Sequence, residues 1–425
     1  MRASCLNSEI NLTTEMKYFV TTLLFAVSIS SFAQRNEIFS PRIASLQVVA
    51  GNDWLSPPIT ELNQNPINIS FDDLTHEYHR YVYTLQHCEA DWSISDDLFE
   101  NDYMEGFYEG NTIDDMEESV NTNILYTHYQ LTIPNERCRI KMSGNYKLSV
   151  YDENNDMESV LAAYFMIVDS QMGVSLGVTA NTDADIRGRH QQVEMELSYG
   201  NVSVNRPESQ LKIVVMQNGR WDNAIVNPKA QYTMHDGLRW QHCRDLIFNG
   251  GNEYHRFETL DVGHTTVGLE DIRWDGENYH AFVWPDTPRP SYVYEEDANG
   301  AFYIRNSDNY ENNTTCDYLW VHFELNAPKQ VGDVYLNGAW TNDQFLPQYL
   351  MEYDEESGCY RANVMLKQGY YSYQYLLLQP DGTTVPVSSE GNFYQTENRY
   401  QALVYYKGYG DRADRLVGYT QIQMK

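Results

Sequence analysis

The chain is expected to be all-β, a string of tandem β-sandwich domains. Three observations lead there. Aromatic residues are abundant, with 34 Tyr and 8 Trp, and such residues favour sheets over helices. Apolar and polar residues alternate in run after run, the period of a strand with one buried face. Turn residues punctuate these runs at regular intervals. A length of 425 residues exceeds one small core and suggests two to four domains.

The first domain is expected at 34–170. Ala44–Val49 alternates and is broken by Pro57-Pro58; Ile67–Phe71 alternates again. Tyr81–Leu85 places Tyr81, Tyr83 and Leu85 on one face, then runs into Cys88, Asp91 and Trp92. Trp92 is expected to pack, and the segment after it, through Asn123, to be an acidic surface loop. Tyr126–Ile133, Tyr146–Tyr151 and Leu161–Val168 complete the set. The second domain, 171–308, has a cleanly alternating run at Val193–Tyr199. Its strand Gln210–Gln217 ends at Asn218-Gly219, a hairpin signal, and Gly250-Gly251-Asn252 and Asp275-Gly276-Glu277 read as further turns. The polar stretch 306–315 reads as the boundary before a third domain, 309–425. That domain would hold strands at Tyr318–Leu325, Val334–Leu336, Tyr360–Leu366 and Gly369–Leu377, with Tyr400–Tyr406 closing its sheet and a mixed tail from Gly408.

The N-terminal region reads as an export signal. Met16-Lys17 opens a short positive region and Tyr18–Phe32 is apolar. Ser31-Phe32-Ala33 then supplies small residues for cleavage before Gln34. Residues 16–33 are therefore expected to be a signal peptide and 1–15 a mis-assigned upstream extension. The apolar run falls short of the ~20 residues that span a bilayer.

Charge excludes some functions. Against 29 Lys and Arg stand 60 Asp and Glu, a net of -31. Nucleic acid and anionic lipid both need a basic footprint. A basic protein partner suits the balance better. No H-E-x-x-H, G-x-S-x-G, phosphate loop or zinc spacing occurs, so no catalytic residue, metal or cofactor is expected. Asp152, Asn154 and Asp156 have the alternation of a calcium loop without its Gly and terminal Glu; a solvated turn is the alternative. His76 and His79 are three apart around an expected strand, a spacing that puts them on opposite faces, so they are not expected to be joint ligands. Cys88 and Cys138 fall in one expected domain and are either a disulfide or two buried free thiols.

Two resemblances sharpen this reading. Leu336-Asn337-Gly338-Ala339-Trp340 and the run Gly369–Tyr373 are similar to the N-G-x-W and G-x-Y-x-Y segments of early-set immunoglobulin-like modules attached to starch- and glycogen-acting enzymes. This implies an immunoglobulin-like third domain, with Trp340 either a sugar-stacking platform or a core residue. More specifically, Tyr81–Trp92 and the run Glu390–Tyr400 resemble the type IX secretion system plug proteins of the Bacteroidetes, once a domain family of unknown function. The first carries Asp91-Trp92, and the second carries Glu390-Gly391-Asn392 and Thr396-Glu397-Asn398. That resemblance implies a periplasmic, non-enzymatic protein, peripheral to the outer membrane. Its partner would be a giant outer-membrane β-barrel translocon, whose pore it would close when no cargo passes. It implies no small-molecule substrate. A secreted carbohydrate-binding or glycan-processing protein working through Trp340 is the alternative.

Overall fold

A computed structural model describes residues 35–424. The expected signal peptide and upstream extension lie outside these residues. Nearly all regular structure is strand, and the strands form three β-sandwiches.

The first sandwich packs two sheets face to face. One orders Glu37–Ile38, Glu158–Val168, Gly144–Asp152, Tyr81–Cys88 and Asn111–Thr112; the other orders Ile43–Ala50, Ile67–Asp73, Thr127–Ile133 and Asp115–Glu118. Alternation explains the core. Tyr81, Tyr83 and Leu85 point inward to Phe71, Tyr129, Tyr146 and Phe165, with Phe71 and Tyr129 stacked at 5.4 Å. The acidic segment expected as loop contains three short strands, Met104–Gly106, Asn111–Thr112 and Asp115–Glu118, and one helical turn. Asn111–Thr112 and Asp115–Glu118 complete sheet edges and Met104–Gly106 pairs with Cys138–Ile140, so each satisfies backbone groups that a free loop would leave to water.

The second and third sandwiches do not follow the expected boundary at 308. Leu211–Gln217 pairs along its whole length with Arg399–Tyr406, which pairs in turn with Arg415–Gln423. The last strands of the chain thus complete the second sandwich, against the sheet of Gly173–Thr179, His190–Ser198 and Gly237–Trp240. Tyr400–Tyr406 does not close the third sheet, and the tail is a regular strand. The reason is burial: Tyr400, Ala402 and Val404 fill the core beside Val193, Leu197, Val215 and Trp240. The third sandwich is an insertion. Its core draws on residues from Phe257 to Val387. His255–Glu258 and Phe302–Ile304 pair with Gly369–Leu378, while Tyr279–Val283 lies parallel to Tyr318–Leu325, which pairs with Cys359–Lys367. The polar stretch read as a linker holds only a short helical turn, Asn312–Thr315, at a sheet corner.

Two sets of contacts tie the sandwiches together. Met166 and Val168 on the outside of the first sandwich meet Val214, Met216, Leu403, Tyr405 and Leu416 of the second in a separate apolar cluster. Between the first and third lies a fully buried ion pair. The Lys367 ammonium donates to Asp72 at 2.6 Å and sits 4.0 Å from the centre of the Tyr126 ring. Tyr318 and His128 bond the same carboxylate at 2.6 and 2.7 Å.

All five cysteines of the described residues are free and buried. Of the two readings of Cys88 and Cys138, the buried free thiols hold; each packs as a small apolar group, and burial pushes them up to about 12 and about 11.

Candidate functional site

The residues on which the resemblance rests gather at two junctions between sandwiches. The first is built on Trp92. The strand Tyr81–Cys88 ends in a tight turn, where the Asp91 carboxylate accepts from the Ser93 N–H and hydroxyl at 3.1 and 2.5 Å. Trp92 then takes φ +65°, a region that bulky side chains avoid. Surrounding contacts hold it there. Its half-buried indole meets Trp221 and Tyr164 edge to face, both at 5.6 Å, against the cluster joining the first two sandwiches. The turn is anchored across that boundary, since the Ala90 N–H donates to the Asp414 carboxylate at 2.9 Å. Asp91 itself is exposed.

The second junction is where the chain leaves the second sandwich for the third, at 249–254, and returns, at 388–398. The two crossings are stapled side by side. The Gly251 N–H donates to Asn392 Oδ1 at 2.8 Å, and the Phe393 N–H to the Gly251 carbonyl at 2.8 Å. The Thr396 hydroxyl reaches that same carbonyl at 3.0 Å. Asn398 is buried and uses its whole amide. It donates to the Gly250 carbonyl at 2.7 Å and to Gln191 Oε1 at 3.0 Å, and accepts from Asn218 at 2.8 Å. The Glu397 N–H donates to Glu253 at 3.2 Å. Close approach explains two glycines. A Cβ on residue 250 would land on the Phe393 carbonyl oxygen. Gly391 has φ +78°, with the Phe393 ring and the Arg289 carbonyl where a side chain would go.

Glu390 carries the electrostatics. It is buried and takes bonds from His255 Nε2 at 2.6 Å and from the Arg289 guanidinium. On the other side of the imidazole, Nδ1 meets Asp286 at 2.9 Å, and Tyr373 and Tyr375 donate to that carboxylate at 2.8 and 2.6 Å. Burial alone would lower the His255 pKa, but the two flanking carboxylates more than reverse this and bring it up to about 9. Burial alone would raise Glu390, yet His255 and Arg289 hold it below its usual value.

Other expected sites resolve differently. Trp340 is 7% exposed. Its N–H donates to the Ser372 carbonyl at 3.1 Å, and its ring packs between Phe323, Tyr349 and Tyr371. Of the two readings of Trp340, the core residue holds; no face is left for a sugar. Asp152 is buried and engaged by Arg42 at 2.5 Å and His79 at 3.0 Å, so of the calcium-like alternation only Asn154 and Asp156 stay exposed. Sequence reading missed Gln191, His255 and Arg289 as partners of the Glu390–Asn398 run and marked Asn218 only as a hairpin turn; the Gly250-Gly251-Asn252 turn was the other local sign.

Fold and junctions define a protein of three sandwiches fixed into one body, whose distinctive residues lock modules to one another. Among the described residues, no helix is long and apolar enough to cross a membrane. Residues 43–169 match the family model described as "Type 9 secretion system plug protein 1st domain". The chain is also similar to a crystal structure of a hypothetical protein from Parabacteroides merdae ATCC 43184. Identity is 36% and the TM-score 0.88, over 92% of this chain and 99% of that one. No curated protein matches. The chain belongs to the type 9 secretion system plug protein family and has a role in type IX secretion; the family is a component of the secretion machinery, not a known enzyme family.

Proposed function

We propose that this protein is a periplasmic, non-enzymatic plug. It binds the periplasmic side of the giant outer-membrane β-barrel translocon of the type IX system and closes the pore when no cargo is passing. The observation that carries this, beside family membership, is the locking of three sandwiches into one rigid unit through a buried ion pair, an apolar cluster and a double chain crossing. A pore wide enough for folded cargo needs a stopper that does not deform. Such a stopper must also be held in place, which needs a contact patch of at least roughly 1,000 Å². Export through a signal peptide cleaved before Gln34 would deliver it to the periplasm.

The test is twofold. Deleting the gene should admit large antibiotics that the intact outer membrane excludes, and the tagged full chain should co-purify with an outer-membrane β-barrel. Unchanged permeability together with no barrel in the eluate would sink the proposal.

A further inference from the structure

We infer that the plug meets its translocon through one face, formed where the loop 94–102 of the first sandwich adjoins the turn 407–412 of the second, and that the barrel surface received there is rich in Lys and Arg. The inference rests on the plug reading above and names the contact surface that reading leaves open.

The first observation is aromatic. The large rings of this chain are mostly in its cores, with Tyr81, Tyr129, Tyr146, Tyr373 and Tyr400 all at most 1% exposed. Phe99 is 72% exposed and Tyr409 fully so, at 105%. Single exposed apolar residues need no explanation. These two differ in how they are held. Phe99 begins the helical turn Glu100–Tyr103, and its N–H donates to the Asp102 carboxylate at 2.8 Å. Tyr409 stands between two glycines, on a turn closed by the Gly408 N–H to Asp411 at 2.8 Å. Arg412 links the two loops. It bonds Asp102 at 2.6 Å and the Asp97 carbonyl at 3.3 Å, and its guanidinium lies 5.9 Å from the Phe99 ring centre. Two rings projected from pre-ordered turns suit anchors that enter pockets with little entropy lost.

The second observation is charge. Of the thirty residues from 89 to 118, twelve are Asp or Glu and none is Lys or Arg. The cations beside these loops are engaged within the chain: Arg412 by Asp102, Lys407 by Glu89, Arg415 by Asp411, and Lys141 by the Asn101 carbonyl. An acidic surround with aromatic anchors complements a basic rim, which it would steer toward contact and hold in register. Solubility alone accounts for the acids but not for the rings.

A photo-crosslinking residue placed at 99, at 409, or at the equally exposed position 331 of the third sandwich (Val331 is 83% exposed) tests this in cells carrying the full chain. Adducts with an outer-membrane β-barrel from 99 and 409, and none from 331, are expected. The double substitution Phe99→Ser with Tyr409→Ser should cut barrel co-purification at least about tenfold without moving the thermal transition. Retention of wild type should fall as salt rises. If wild type and the double variant retain the barrel equally, or adducts form from 331 alone, the face is wrong while the plug reading stands. If wild type retains no barrel at all, both fall. Adducts at 99 and 409 with a second copy of this chain would also overturn the inference.

Discussion

Asn398 shows what a single residue does in this protein. Its amide bridges strand, turn and returning chain, and all three of its partners belong to the second sandwich or to the crossing out of it. Replacing it with Ala leaves the Gly250 carbonyl without its donor and the Asn218 amide without its acceptor, while Gln191 keeps the Tyr400 hydroxyl on its Oε1. An unsatisfied buried polar group costs about 1–3 kcal/mol. Asn398→Ala should therefore lose about 2–4 kcal/mol in urea unfolding, while a surface control such as Gln421→Ala should stay within about 0.5 kcal/mol. Trp92 makes the complementary case. Trp92→Ala should lose about 2 kcal/mol through the contact with Trp221 and Tyr164, detected as a lower thermal midpoint. No change there would mean that the strained turn is not held by its indole.

At the scale of elements, the consequence of the insertion is testable by cutting. Tyr279–Val283 lies inside its sheet, between Leu269–Trp274 and Tyr318–Leu325. A fragment 309–425 lacks Leu269–Trp274 and Tyr279–Val283 from one sheet and His255–Glu258 and Phe302–Ile304 from the other, and carries Arg399–Tyr406 without its partner Leu211–Gln217. It should be insoluble or unfolded. A fragment 252–391 contains the whole third core, and its ends lie together in the native junction. It should give a dispersed NMR spectrum and a cooperative thermal transition. If 309–425 folds and 252–391 does not, the strand pairing described above is wrong.

The whole molecule should respond to pH through its buried charges. His255, up at about 9, is stabilised in its charged form when folded. Its contribution is present below 6.5 and is lost as pH rises toward 9. Asp297 and Asp343 are raised by burial, to about 7 and about 6, so the folded chain binds their protons more tightly than the unfolded one. Their effect has the same sign: stability falls as pH rises from about 4 through those values. In the other direction, Asp72, Asp286 and Glu390 are held low by cationic partners despite burial, and their contribution is lost as pH drops below the ordinary carboxylate range. Stability should therefore peak in mild acid, near pH 5–6 on the usual pattern, and His255→Gln should flatten the alkaline limb in urea titrations. The interface between first and third sandwiches adds a coupling test. Asp72→Ala strands a buried ammonium and should cost about 3–5 kcal/mol. The pair Asp72→Ala with Lys367→Met should cost clearly less than the sum of the two single changes.

Local alternation was enough to place the long strands, though not the short edge strands between 104 and 118. Tyr81–Cys88, Leu211–Gln217, Tyr318–Leu325 and Gly369–Leu378 stand where the period of two puts them, because a half-buried sheet imposes that period directly on neighbouring residues. The family match falls on residues 43–169, the part of the chain that holds the Tyr81–Trp92 resemblance. What alternation could not decide was the partner of each strand. Arg399–Tyr406 joins Leu211–Gln217 across almost two hundred residues, and an amphipathic strand matches many sheets equally well until a core selects among them. For the same reason Trp340 reads alike as a platform or a core residue, and only the packing of Phe323 and Tyr371 around it settles which. The meaning of Glu390, Thr396 and Asn398 was hidden too, because their partners, His255, Gly251 and Gln191, lie 135 to 207 positions away and are brought to them by the crossing of two chains that exists only in the folded protein.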